Sequence, residues 1–190
     1  MTEFKLHDVK SAPDASKPIL EATEKAWQFV PNLHRVLAEA PATLEGYNTL
    51  FGIFDKTSFS PAERQVVYLT SNYENECDYC MAGHSVLAKG AHVPEQAIQA
   101  LREGKPIEDK KLAALSRFTA KVVTNRGWVS EDDVNAFLAA GYSKQNILEV
   151  ILGVAVKVIS NYTNHIAATP TDAFMKDTLW IAPSKRAKAA

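Results

Sequence analysis

The sequence predicts an all-α fold in a single domain, and three observations carry that expectation. Helix-start chemistry recurs along the chain, as a capping serine or an early proline with an acid or amide two or three places on. Apolar residues recur at mixed three and four spacing, while alternating strands bounded by tight hairpin turns are absent. A length of 190 residues with 46% hydrophobic and 23% charged side chains supports one substantial core rather than two domains.

A first helix is expected over residues 17–29, with Pro18 in its first turn and Pro31 just beyond its end. A second covers residues 32–40. A third begins near Pro41 and carries Leu44, Tyr47, Leu50, Phe51 and Phe54 on an apolar face. Ser60-Pro61-Ala62-Glu63 is the strongest start signal: Ser60 and Glu63 can satisfy each other's orphan donors, opening a helix to about Tyr73. The next helix follows almost at once from Cys77, with Gly90 as its left-handed terminator. A short helix starts around Val93-Pro94-Glu95-Gln96 and stops at Gly104. Residues 109–125 repeat apolar side chains on one face before Gly127, and Ser130-Glu131-Asp132-Asp133 caps a further helix ending at Gly141.

Ser143 opens the longest apolar run, interrupted by Glu149 and Lys157. A helix apolar nearly all round must be buried in the core or against another subunit. Residues 171–190 read as a loosely packed arm, with Phe174 and Trp180 as anchors, beyond a core of residues 18–170. Trp27, Trp128 and Trp180 read as core or interface anchors.

Net charge is −1, from 21 basic and 22 acidic residues, so no global field draws the chain to nucleic acid or an anionic membrane. The basic cluster Lys185-Arg186-Ala187-Lys188 reads as a solvated tail. The N-terminus is polar and no run of eighteen uncharged apolar residues occurs, so a cytoplasmic location with reduced thiols is expected.

Chemistry concentrates in Glu76-Cys77-Asp78-Tyr79-Cys80-Met81-Ala82-Gly83-His84, which holds the only two cysteines. On a helix opened by Cys77, the side chains of Cys77, Cys80 and His84 fall at i, i+3 and i+7 and stack on one face. A helix N-terminus favours thiolate over thiol, and the thiolate is the form that attacks peroxides and disulfides. Two cysteines so spaced can also close a disulfide after one is oxidised.

Other readings compete. Cys77 and Cys80 with His84 and His92 could form a zinc site, but no second cysteine pair exists and the run looks helical. Covalent haem attachment needs histidine directly after the second cysteine, where Met81 stands. Two inert buried thiols are a further reading. No metal and no cofactor is expected.

Ser60-Pro61-Ala62-Glu63-Arg64-Gln65-Val66-Val67, then Asn75-Glu76-Cys77-Asp78-Tyr79-Cys80 with His84, resembles the alkylhydroperoxidase D and carboxymuconolactone decarboxylase superfamily. The run Ser160-Asn161-Tyr162-Thr163-Asn164-His165 is similar to its peroxidase-related members. The resemblance covers about residues 18–170. It implies an AhpD-like helical bundle assembling as dimers, trimers or hexamers, with the dithiol helix near a subunit interface. It implies peroxide or disulfide reduction in antioxidant defence, with Cys80 attacking the peroxide, Cys77 resolving the sulfenic acid and His84 moving protons. An external dithiol, lipoyl or thioredoxin-like, would recycle the disulfide. The decarboxylase branch generally lacks the cysteine pair.

One departure stands out. The better known hydroperoxidases carry a relay glutamate twelve residues before the first cysteine, and that position here is Gln65, which cannot take a proton at neutral pH. Glu63, Glu74 and Glu76 are the acids in reach by sequence. Tyr79 could donate its hydroxyl to sulfur or substrate, and His165 could line the site or merely complement its helix end. Two rivals to the reductase remain: a redox sensor whose disulfide switches assembly without turnover, and a decarboxylase of the same fold whose activity would survive loss of both cysteines.

Overall fold

Serine caps and early prolines set the helix starts where the sequence places them. In the computed structural model, which describes residues 3–189, the order is α1 (Lys17–Trp27), α2 (Asn32–Leu37), α3 (Pro41–Phe54), α4 (Pro61–Glu74), α5 (Asp78–Gly90), α6 (Glu95–Glu103), α7 (Lys110–Thr124), α8 (Glu131–Ala139), α9 (Lys144–Ala167) and α10 (Pro183–Ala189). Two 3-10 turns, Asp14–Ser16 and Ala173–Thr178, complete it, and no strand occurs among the described residues. Side chains of residues 187–190, Lys188 of the basic tail among them, lie outside the description.

At α4 the Ser60 hydroxyl accepts from the Glu63 N–H at 3.2 Å while the Glu63 carboxylate accepts from the Ser60 N–H at 2.9 Å. The same reciprocal box opens α8 with Ser130 and Asp133, and α9 with Ser143 and Asn146. The exit from α5 differs from expectation. Gly90 is still helical, and the left-handed residue is His92 at φ 60°, with the Val93 N–H closing onto the Ala88 carbonyl at 3.0 Å.

Helix α4 is the hub, packed on α5, α7 and α9. Its middle is covered nearly all round, with the consecutive Val66, Val67, Tyr68 and Leu69 all fully buried and Tyr68 against Phe51 and Phe54 of α3. Gly153 lets α9 approach this layer: a Cβ there would lie 2.7 Å from Phe54 and 2.8 Å from Val67. Helix α9 is long and apolar enough to cross a membrane by length and composition. Its buried side nevertheless carries Lys157, Ser160, Asn161 and Asn164, which marks it as a core helix of this domain. The opposite side leaves Leu148, Ile151, Val158, Tyr162 and Ile166 exposed.

The C-terminal segment is not loosely packed. Met175, Trp180 and Ala182 are buried, and each large side chain so buried contributes about 1.5–3 kcal/mol. The Arg102 guanidinium donates to the carbonyls of Thr178 and Leu179, and Asp78 of α5 accepts the Ala182 N–H at 2.8 Å. The chain after α9 thus straps the dithiol helix. Of the three tryptophans, Trp180 is the buried anchor; Trp128 is 86% exposed, and Trp27 borders a cavity described below.

Candidate active site

Helix α4 hands over to α5 in three residues. Glu76 takes a left-handed φ of 52°, which lets the Cys77 N–H close onto the Asn72 carbonyl at 2.9 Å. Cys77 therefore caps α5 rather than opening it: its sulfur accepts the Cys80 N–H at 3.4 Å, and the helix proper starts at Asp78. Both thiols are free and buried. Cys80, in the first turn of α5, lies where the unpaired N–H groups favour thiolate.

Three helices converge on these sulfurs. Lys157, Asn161 and Asn164 fall at i, i+4 and i+7 on one face of α9. The Asn164 amide donates to Cys80 Sγ at 3.1 Å and reaches Cys77 Sγ at 4.0 Å. Asn75 donates to Asn161 at 2.9 Å, Asn161 to Asn72 at 3.0 Å, and Asn72 to the Cys80 carbonyl at 3.1 Å. That amide chain ties α4, α5 and α9 together at the height of the nucleophile.

The electrostatics push the two thiols apart. Burial raises Cys80, but the hydrogen-bonded Cys77 thiol, the Lys157 ammonium and the Asn161 and Asn164 amides outweigh it and bring Cys80 down to about 5. Cys77 moves up, first through its hydrogen bond with Cys80 and then through burial. The pair titrates as a unit in which Cys80 holds the negative charge.

His84 follows Cys80 by one turn and is buried. Its Nδ1 lies 2.9 Å from Gln65 Oε1, and its Nε2 lies 3.0 Å from Lys157 Nζ. Burial, then the Lys157 charge, hold its pKa well below the ordinary histidine value. Gln65 thus reaches the histidine, as an amide rather than an acid. Glu63 is engaged with Ser60 and Lys111, and Glu76 with Ser184. Glu74 borders a groove with Tyr73, Lys105 and Arg117, on another side of α4.

A cavity of about 50 Å³ opens over Cys80, His84 and Lys157. Its walls are largely aromatic, from Trp27, Tyr47, Phe51, Tyr79 and Phe174, with His34, Leu87 and Met175. Tyr79 contributes its ring only: its hydroxyl donates to Asp172 and accepts the Leu33 N–H, so it does not address the sulfur. His165 stands outside the cluster, exposed and stacked on Tyr162. His92 lies past the far end of α5, and no group of three metal-capable His, Cys, Asp or Glu side chains occurs among the described residues.

Residues 41–114 match the family model for the carboxymuconolactone decarboxylase family, a span holding both cysteines, Gln65 and His84. That span is similar to the carboxymuconolactone decarboxylase family, and the chain has the AhpD-like fold. The solved structures agree on the fold of that AhpD-like domain. An uncharacterized peroxidase-related protein from Ralstonia eutropha JMP134, an alkylhydroperoxidase AhpD core, superposes with TM-score 0.81 at 19% identity over 91% of this chain and 93% of its own. A peroxidase-related protein from Silicibacter sp. TM1040 gives TM-score 0.76 at 17% identity, covering 92% and 95%. The debrominase Bmp8, as a variant in complex with 2,3,4-tribromopyrrole, gives 0.77 at 18% identity, covering 94% and 96%. No curated protein sequence matches.

The α9 contribution escaped the sequence reading. Lys157 is only 1% exposed, yet it reads in sequence as an interruption of an apolar run. The signal was there: a lone lysine inside such a run either snorkels or serves a buried partner, and Asn161 and Asn164 share its face.

Proposed function

We propose that this domain is a thiol-dependent reductase of small hydroperoxides, with Cys80 as nucleophile and Cys77 as resolving thiol. One observation carries the reading: the sulfur that faces the cavity accepts the Asn164 amide at 3.1 Å, and that bond and the Lys157 ammonium both favour its thiolate. Cys80 attacks the distal peroxide oxygen, forming a sulfenic acid and releasing an alkoxide that takes up a proton. The Cys77 thiol then displaces water from that sulfenic acid, closing the Cys77–Cys80 disulfide. An external dithiol, lipoyl or thioredoxin-like, returns two electrons and two protons, and no bound cofactor takes part. The exposed apolar stripe of α9, Leu148 to Ile166, is the face we assign to a second copy of the chain. A cytoplasmic, reducing compartment suits a cycle that needs its dithiol restored.

The aromatic walls and the likeness to a debrominase favour a second reading, thiolate-driven reductive removal of halide from a small halogenated ring. Steady-state assays with alkyl hydroperoxide and with a brominated pyrrole, each with dithiothreitol, decide between them. Dithiol-dependent peroxide loss that disappears in Cys80→Ser supports the first; bromide release without peroxide loss replaces it with the second. A single oxidation with no turnover would instead make the protein a redox sensor, and decarboxylation surviving loss of both thiols would make it a decarboxylase.

A further inference from the structure

We propose that the Lys157 side chain, not the His84 imidazole, is the acid that protonates the oxygen leaving the peroxide, an inference that rests on the thiol-reductase reading above. An ammonium has donors only, so the 3.0 Å contact between Lys157 Nζ and His84 Nε2 fixes Nε2 as the acceptor. Nδ1 must then carry the ring proton, and it donates to Gln65 Oε1 at 2.9 Å. Both nitrogens are occupied. The imidazole is neutral and has no proton directed at the cavity, and the residue that could have changed this, an acid at position 65, is an amide.

Lys157 is placed differently. Its ammonium spends one donor on His84, sits 5.3 Å from the centre of the Tyr68 ring and lines the cavity beside Cys80. The titratable groups facing it are Cys77, Cys80 and His84 on the α5 side, Tyr68 of α4, and, across the cavity, Tyr47 of α3 and His34 of α2. Among the described residues Lys157 forms no ion pair with a carboxylate, so its counter-charge is the Cys80 thiolate.

That pairing closes the proton balance. Before attack the site holds one thiolate and one ammonium. When the sulfur takes the distal hydroxyl and becomes a sulfenic acid, the buried negative charge moves to the departing alkoxide. Transfer of one proton from Lys157 gives the alcohol and a neutral amine, leaving no isolated charge in an apolar cavity. After the disulfide has formed and an external dithiol has reduced it, the Cys80 thiol returns its proton to the amine and the ion pair is restored. His84 acts as the positioning residue, holding the lysine by its lone pair.

The experiment compares two oxidants in single-turnover stopped flow on the reduced full chain: an alkyl hydroperoxide, whose alkoxide needs a proton, and a peroxyacid, whose carboxylate does not. Wild type and Lys157→Met are each measured well above the pH midpoint of their own Cys80, so that thiolate content is equal. General-acid assistance is typically about 10²–10⁴-fold. The rate ratio of alkyl hydroperoxide to peroxyacid should therefore fall at least about a hundredfold in Lys157→Met. An unchanged ratio overturns the proposal, because a lysine that only positions or charges the site slows both oxidants by one factor. Should Lys157→Met not fold, the wild type decides alone through a series of hydroperoxides of graded leaving-group pKa. A shallow dependence of rate on leaving-group pKa supports the proton donor, and a steep one overturns it. Wild type inert to both oxidants sinks the reductase reading itself, an outcome distinct from an active enzyme with an unchanged ratio.

Discussion

Removing one hydrogen bond to the Cys80 sulfur tests how the site makes its thiolate. Asn164→Ala deletes the amide that donates at 3.1 Å, and it strands no donor elsewhere, because Asn164 Oδ1 is already without a partner. A hydrogen bond to a charged group is worth about 1.5–3 kcal/mol, and one pKa unit is about 1.4 kcal/mol, so Cys80 should rise by about one to two units. It starts from about 5. Well above both midpoints the thiolate content is then unchanged, whereas well below the wild-type midpoint it falls by the whole shift, roughly ten- to a hundredfold. The assay is the rate of iodoacetamide alkylation at Cys80 between pH 4 and 9, read by peptide mass. A midpoint that stays where wild type has it, or a loss equal at every pH, would refute the account of the thiolate.

The sign for stability follows from the same shift. Cys80 is depressed in the folded state, so its contribution is fully present above the unfolded thiol pKa, near 9, and is lost as pH falls through about 5. Asn164→Ala should therefore destabilise the reduced protein more at pH 8 than at pH 4 in urea titrations.

Cys77→Ser should still react once with peroxide but stop at sulfenic acid, trapped by dimedone, while Cys80→Ser should not react. Gly153→Val drives a side chain into Phe54 and Val67, and overpacking of about 1–3 kcal/mol should lower Tm by about 2–12 °C in calorimetry. Tyr79→Phe strands the buried Leu33 N–H and leaves the Asp172 carboxylate held by the Asn32 N–H alone, so amide exchange should quicken across residues 168–182 while the Cys80 midpoint stays. Gln65→Glu sets a carboxylate against His84 Nδ1 and should raise the depressed histidine pKa, visible as an imidazole titration by NMR at higher pH than in wild type.

Local chemistry explains what could be read in advance. The caps at Ser60, Ser130 and Ser143 and the prolines at 18, 41 and 61 act within four residues, and each helix they announce is present. The dithiol and its histidine lie within eight residues and were visible for the same reason. What failed needed distance. Whether the chain after α9 packs depends on Arg102 and Asp78, some eighty and one hundred residues upstream. Lys157 meets His84 across 73 positions, a contact that no periodicity encodes. Gly90 could have ended its helix, and only the closure of Val93 onto Ala88 moved the left-handed turn to His92.

The most direct test exposes the fully reduced chain to an alkyl hydroperoxide and follows intact and peptide mass through repeated additions of dithiothreitol. The account predicts loss of two hydrogens' mass as a Cys77–Cys80 disulfide, restored by dithiol and repeated over many cycles. Thiols unmodified after long exposure, or Cys80 oxidised with Cys77 left free, would contradict it.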